Sequence, residues 1–192
     1  MYNAHIFVVR FSARSCLMDD KRTSNLLGAL ALGLVDVLNV VVETNAGYSG
    51  ETPAALVTLG VEPGISINQL RQILNLSHPG TVRLIDRLEK EGLVERKPGA
   101  DGRTLALFLT NTGSERRKAI LFERQQQLQL VIKSLTPNER KQLTKLLEKM
   151  LTAMTTSELR ACEICRLCEE EVCPGDLCPV EQQYCHHVSN HE

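Results

Sequence analysis

Residues 66–112 decide the fold, and they read SINQLRQILNLSHPGTVRLIDRLEKEGLVERKPGADGRTLALFLTNT. Ser66 is followed three residues later by Gln69, a capping-box pattern that predicts a short helix reaching about Leu74. Ser77 has a side chain suited to an N-cap, and it predicts the start of a second helix after a two-residue turn. Two capped helices joined by so short a turn predict a helix-turn-helix.

The segment after the second helix has the pattern of a β-hairpin. Gly92 supplies a left-handed stop that ends the second helix near Glu91. Two stretches, residues 93–97 (LVERK) and 104–110 (TLALFLT), then flank a polar tip at residues 98–103. A hairpin directly after the second helix forms a wing, so the sequence predicts a winged helix-turn-helix.

The rest of the chain predicts helices. Aromatic residues make up only 4% of the sequence, with no Trp, which is typical of a mainly helical protein. Thr52 is a candidate N-cap for a short helix with Pro53 in its first turn, and Thr136 forms a capping box with Glu139. The last of these helices carries one apolar stripe, made of Leu143, Leu146, Leu147, Met150, Leu151 and Met154. The predicted fold class is mainly α with a small β-hairpin wing, and the stripe is either intramolecular core or a dimer seam.

Residues 26–42 are almost wholly apolar, and a run of 17 residues lies at the lower limit for spanning a bilayer. Asp36 would lie inside such a span, at a cost of about 2.5 to 3.5 kcal/mol. We therefore predict a soluble helix covered by a partner subunit rather than a membrane span. The preceding segment does not match a secretory signal, and Met18 is a candidate native start.

Four short blocks carry a resemblance to a known family. They are LSHPGTVRLIDRLE at residues 76–89, GLVER at residues 92–96, DGR at residues 101–103 and LTNTG at residues 109–113. In these blocks the chain resembles the MarR family of winged helix-turn-helix transcription regulators. The resemblance implies a cytoplasmic homodimer of repressor type whose subunits pair through N-terminal and C-terminal helices. It also implies a small-molecule effector, whose chemistry and contacts the sequence does not identify.

Charge divides the chain at Ser157. The formal net charge of the whole chain is −1, but residues 158–192 carry eight acidic and two basic side chains, which leaves +5 on residues 1–157. The predicted parts are an N-terminal extension (1–22), a MarR-like domain with dimerisation helices (23–157, with the DNA-binding lobe at about 52–112) and an acidic cysteine-rich tail (158–192).

The second helix of the motif is expected to enter the major groove, where side chains near its N-terminus reach base edges. His78, Thr81 and Arg83 are the candidate base readers. The candidates for backbone contacts are Ser77, Arg87, Arg96 and Lys97, and Arg103 matches the wing arginine that the family places in the minor groove. The alternative is that Arg83 and Arg87 form a solvated face paired with neighbouring acids, with Ser77 only a cap.

Five cysteines recur at short spacing in the tail: Cys162, Cys165, Cys168, Cys173 and Cys178. Thiolates at such spacing suit zinc or an iron-sulfur cluster, and thiol-disulfide sensing is a third option. The run from Cys162 to Pro174 is one residue longer than the bacterial ferredoxin pattern, so an iron-sulfur assignment stays open.

These observations together predict a sequence-specific regulator of double-stranded DNA, responsive to metal or redox state through its tail, and not an enzyme. Two other classes stay open. A thiol-disulfide redox protein would use the clustered cysteines, although no thioredoxin-like βαβ pattern surrounds them. A winged-helix protein-interaction module with a structural zinc site would show no salt-dependent DNA binding.

Overall fold

The structure is a computed structural model, and it describes residues 5–99 and 104–189. The chain divides into two compact units, with the boundary between Val40 and Val41. The first unit is built on one long helix, α1 (His5–Val41). The helical span Asp19–Thr44 is long and apolar enough to cross a bilayer, with a mean hydropathy of 2.0 and only 6% of its window buried. The span meets this criterion by length and composition only.

The second unit contains both strands and the remaining described helices. It begins with a π-helical turn (Val42–Ala46). Its elements then follow in the order α2 (Thr52–Val61), α3 (Ile67–Ile73), α4 (His78–Lys90), β1 (Val94–Pro98), β2 (Leu105–Leu109), α5 (Asn111–Ile132), α6 (Pro137–Met154), α7 (Glu158–Cys165) and α8 (Pro179–Ser189). This order confirms the predicted fold class, a mainly helical winged helix-turn-helix.

The capping signals around the helix-turn-helix are confirmed. The backbone N–H of Ser66 donates to Oε1 of Gln69 over 2.8 Å, and that of Gln69 donates to the Ser66 hydroxyl over 3.2 Å. The Ser77 hydroxyl accepts from the N–H of Gly80 over 3.2 Å and so caps α4. Gly92 takes the left-handed conformation, φ 71°, directly after α4.

The wing is an antiparallel pair of β1 and β2 in which Val94 pairs with Leu109 and Pro98 with Leu105. Its inner edge is joined to the segment before α3, because the N–H of Leu107 donates to the carbonyl of Ile65 over 3.0 Å. The wing and the helix-turn-helix are thus hydrogen-bonded into one lobe.

The core of this lobe contains fully buried side chains from four helices and both strands. They include Leu56, Leu59, Leu70, Ile85, Leu88, Val94, Leu107 and Ile120. Burial of this kind contributes roughly 1.5 to 3 kcal/mol per large aliphatic side chain, so the lobe has its own source of stability.

The predicted cap of α2 is wrong. Glu51 occupies the N-cap position without a side-chain cap bond, and Thr52 is the first helical residue. Thr52 is instead buried, and its hydroxyl accepts a hydrogen bond from the guanidinium of Arg87 on α4. The hydroxyl that the local sequence predicted as a helix cap therefore bonds to a residue that is distant in the sequence.

The helices after the wing leave apolar side chains exposed. The Thr136–Glu139 capping box of α6 forms as predicted. The stripe of α6 does not lie in the core of this chain: Leu146, Leu147, Met150 and Met154 are 37% to 59% exposed. On α5, Phe122 and Leu130 are also exposed.

Candidate functional site

Helix α4 presents one apolar face to the core and one polar face to solvent. Its buried residues are Thr81, Leu84, Ile85 and Leu88. His78 and Arg83 are exposed, and Arg83 lies about 160° from Ile85 around the helix at the α-helical spacing. These two predicted base readers are therefore on the surface that a groove would meet.

Thr81 must be removed from the candidate base readers. Its side chain is fully buried. Its hydroxyl donates to the Ser77 carbonyl over 3.1 Å, within the first turn of the helix. A side chain in this position packs the helix against the lobe and does not reach a base edge.

Arg87 is exposed, and its guanidinium donates a hydrogen bond to the buried hydroxyl of Thr52 on α2. Besides its bond to Thr52, it lines an open cavity of about 660 Å³ between α2, α4 and the start of α5. The other charged residues of this cavity are Glu91 and Arg116, and Tyr48 supplies an aromatic wall.

The basic residues of β1 have acidic partners. Arg96 is paired with Asp86, at 2.5 Å, and with Glu89, both on α4, and its side chain is only 19% exposed. Lys97 pairs with Glu95 at 2.5 Å and lies over the ring of Phe108, 5.1 Å from its centroid. Arg96 therefore fastens the wing to α4. Arg103 lies outside the described residues, and its assignment to the wing stays a prediction.

The structure brings together four of the five candidate cysteines of the tail. The Cys165 thiol donates a hydrogen bond to Cys168, which, assisted by the positive charge of Arg124, holds the pKa of Cys168 at about 6. The same bond, with burial, raises the pKa of Cys165, and Cys173 and Cys178 are close enough to add to that increase. Burial and the neighbouring Cys178 raise the pKa of Cys173 to about 11.

Cys165, Cys168, Cys173 and Cys178, whose thiols act on one another, are here called the four-cysteine cluster. The fifth candidate, Cys162, lies one turn before Cys165 on α7. Burial raises the pKa of its thiol, followed by the charges of Glu62 and Glu158. The charge of Glu163 raises it further. In the part of the chain that the structure describes, no three His, Cys, Asp or Glu side chains converge as a formed metal site. The cluster is arranged as hydrogen-bonded thiol pairs.

Several residues at these sites carry no signal in the sequence. Arg124 faces the cysteine cluster from α5, and Arg116 lines the cavity. Neither belongs to a motif, and α5 has no regular polar pattern that singles them out. Their positions follow only from the folded chain.

The comparisons with known proteins agree with this geometry. A model of the MarR family matches residues 46–104, which contain α2, the helix-turn-helix and β1. This part of the winged-helix lobe is therefore similar to the MarR family. No curated protein sequence gives a match.

Solved structures of MarR-family regulators share the fold beyond the lobe. Wild-type apo MarR from E. coli has a TM-score of 0.58 at 25% identity, over 67% of this chain and 96% of that one. A MarR family protein from Bacillus stearothermophilus has a TM-score of 0.66 at 22% identity, over 72% and 97%. A MepR F27L mutant from S. aureus, solved bound to an oligodeoxyribonucleotide, has a TM-score of 0.52 at 21% identity, over 68% and 96%.

Proposed function

We propose that this protein is a cytoplasmic, homodimeric transcription regulator that binds double-stranded DNA through α4 and represses its target genes. The observation that carries the proposal is the exposed pair His78 and Arg83 on the outward face of α4, in a lobe that is similar to the MarR family. A solved relative of the same fold, the MepR mutant, is bound to DNA. The +5 charge of residues 1–157 favours association with a polyanion.

Arg83 is the side chain best placed to read sequence. A guanidinium at this position is able to donate two parallel hydrogen bonds to a guanine in the major groove, a contact that contributes about 1 to 3 kcal/mol of discrimination. His78 is the second proposed base reader, and Ser77 then holds the start of the helix at the backbone. Arg96 and Lys97 contribute less than their charge suggests, because each is already paired with an acid.

Replacing Arg83 by alanine is expected to weaken binding to the protein's own promoter fragment by about 5-fold to 150-fold, the equivalent of 1 to 3 kcal/mol. The measurement is fluorescence anisotropy at two salt concentrations, with random-sequence DNA of equal length as the second ligand. Arg83→Lys is the matched control, because it keeps the charge and loses the bidentate geometry. It should retain most non-specific binding and lose preference for the promoter. If both variants bind the promoter as tightly as wild type, Arg83 does not read bases.

The proposal of a dimer rests on the apolar side chains that are exposed on a helix of each unit. In the second unit, the exposed stripe of α6 has the period of a helix-helix seam. In the first unit, Leu26, Leu30 and Val37 of α1 are exposed to a similar degree. A second copy of the chain is the proposed occupant, as in the family that the chain resembles. Recovery of the protein only in detergent would instead indicate that α1 enters a membrane.

The cavity beside Arg87 is the proposed site of a small-molecule effector. Arg87 and Arg116 give it two cationic groups against one acid, Glu91, which favours an anionic ligand. Because Arg87 belongs to α4, a ligand there would act directly on the recognition helix. Its identity does not follow from the lining residues.

The cysteine tail is proposed to make DNA binding responsive to a metal or to redox state, with zinc or an iron-sulfur cluster as the bound group. Cys168, with its lowered pKa, has the thiolate character that metal binding and thiol oxidation both need. The competing classes are a thiol redox protein and a protein-interaction module. Salt-dependent DNA binding separates the proposed regulator from both.

A further inference from the structure

We propose that Cys165 and Cys168 are a redox-active pair that a hydroperoxide oxidises to a reversible disulfide. The proposal rests on the redox response proposed above for the tail, and it narrows that response to two thiols and one class of oxidant. Disulfides in the cytosol are usually transient, so the reduced pair is the resting state of a cytoplasmic regulator.

Cys165 and Cys168 are joined by a single tight turn. The backbone N–H of Cys168 donates to the carbonyl of Cys165 over 2.8 Å. Arg166, between them, has φ −55° and ψ −12°, close to the first central position of a type I turn. A turn of this kind places its end Cα atoms less than about 7 Å apart, and disulfides join Cα atoms about 4.4 to 6.8 Å apart. The backbone therefore already holds this pair within the range that a disulfide spans.

Cys162 has the same spacing from Cys165 but a different backbone. Both residues lie inside α7, where Cβ atoms three residues apart are about 5 to 6 Å from each other. A disulfide needs about 3.5 to 4.5 Å between its Cβ atoms. A bond from Cys162 to Cys165 therefore requires the last turn of α7 to deform. Cys168 lies beyond the helix, at the end of a 3₁₀-type turn that sets side chains three residues apart above one another.

The other two cysteines of the cluster are less suited to oxidation. The turns that end at Cys173 and Cys178 each begin three residues earlier at a residue that is not a cysteine. Cys178 is buried, whereas Cys165 and Cys168 are both partly exposed. Cys173 is exposed, but desolvation and the neighbouring Cys178 raise its pKa to about 11, so it stays a thiol at neutral pH. A small oxidant therefore reacts first at the 165–168 turn.

The two thiols of the turn differ in acidity, which assigns their roles. The hydrogen bond that Cys168 accepts from Cys165, assisted by the positive charge of Arg124, holds the pKa of Cys168 at about 6. The same bond raises the pKa of Cys165. Cys168 is therefore the thiolate that attacks, and Cys165 is the adjacent thiol that resolves the product. Thiols that sense peroxides share this arrangement.

Oxidation then proceeds in two steps. The Cys168 thiolate attacks the terminal oxygen of the hydroperoxide, the O–O bond breaks, and the leaving alkoxide or hydroxide takes a proton from solvent. The sulfur of Cys165 next attacks the sulfenic sulfur of Cys168. The S–S bond forms, the S–O bond breaks, and the Cys165 proton leaves with the hydroxyl group as water. The two sulfurs together lose two electrons, and the hydroperoxide gains them.

The pair lies where its oxidation acts on the DNA-binding helices. Leu167, between the two cysteines, packs against the core of the lobe. Helix α7 packs against α3, the first helix of the helix-turn-helix. The disulfide closes a covalent ring around Leu167, so oxidation constrains the segment that joins the tail to the lobe.

The test is peptide mapping of the full chain after reaction with hydrogen peroxide and blocking of the remaining thiols with N-ethylmaleimide. Trypsin cuts after Arg166, so Cys165 and Cys168 leave in different peptides, 161–166 and 167–192. The proposed disulfide should link these peptides within a chain that runs as a monomer on a non-reducing denaturing gel. The linked species should be two hydrogen atoms lighter than the sum of the peptides, and dithiothreitol should separate them.

Serine at Cys165 or Cys168 should abolish the link, while the matched control Cys162→Ser should form it as wild type does. Because a variant is able to lose the link by misfolding, tandem mass spectrometry of the wild-type species also assigns the linked cysteines directly. A disulfide confined to peptide 161–166 or to peptide 167–192 would overturn the proposal. A link that disappears in Cys162→Ser, or thiols that stay reduced, would overturn it as well.

Peptide mapping is carried out without DNA, so it is independent of the proposed function. A protein that forms the link and shows no salt-dependent DNA binding would contradict only the proposed function. A protein with salt-dependent promoter binding that never forms the link would contradict only this inference.

Discussion

Leu147→Glu is expected to convert the protein from a dimer to a monomer and to weaken promoter binding by about 10²-fold to 10⁴-fold. Leu147 is 45% exposed in the centre of the α6 stripe, between Leu146 and Met150. A carboxylate buried in an apolar helix-helix seam would lose its hydration and gain no hydrogen-bond or charge partner. This desolvation cost would destabilise the dimer. A monomer has one recognition helix and contacts one half-site of the DNA. It therefore lacks the additional affinity that a dimer obtains by contacting two linked half-sites. Light scattering after gel filtration and anisotropy on the promoter fragment measure the two effects.

Gln142→Glu is the matched control, because it adds the same charge to the same helix. At the helical spacing Gln142 lies about 110° away from the centre of the stripe, and it is exposed. This variant should remain dimeric and bind DNA as wild type does. If Leu147→Glu stays dimeric, α6 does not form the seam. If it becomes monomeric with unchanged DNA affinity, the dimer does not position two recognition helices.

Local patterns predicted the elements that depend on a few neighbouring residues. Ser66 with Gln69, Ser77 and Gly92 each act within one helical turn, so their spacing in the sequence is also their spacing in the structure. The wing was predicted for the same reason, since a hairpin joins segments that are adjacent along the chain.

Residues whose role depends on a distant partner were not predicted. The local pattern predicted Thr52 as a cap, but its hydroxyl accepts a hydrogen bond from Arg87, which lies 35 residues further along the chain. Thr81 lies one turn inside α4, and only the direction of the core shows that it points inward.

The junction between the wing and α5 holds the lobe together at Gly113. The Thr110 hydroxyl accepts from the N–H of Gly113 over 3.0 Å and donates to the carbonyl of Gly92 over 2.6 Å. The Thr110 N–H donates to the carbonyl of Leu93 over 3.0 Å. These bonds press the start of α5 against the start of β1. A Cβ on Gly113 would lie 2.0 Å from the carbonyl oxygen of Leu93.

Gly113→Ala is therefore expected to destabilise the lobe by about 3 kcal/mol, the upper part of the usual range for overpacking. The obstructing atom is backbone, so the methyl group is accommodated only if α5 moves away from β1. For a chain of this size the melting temperature should fall by about 6 to 12 °C. Circular dichroism at 222 nm during heating measures the shift, with Thr112→Ala as the control. Thr112 is exposed in the same turn, so its replacement should change the midpoint little. A Gly113→Ala protein that melts with the control would mean that α5 does not rest on β1 as the hydrogen bonds of Thr110 indicate.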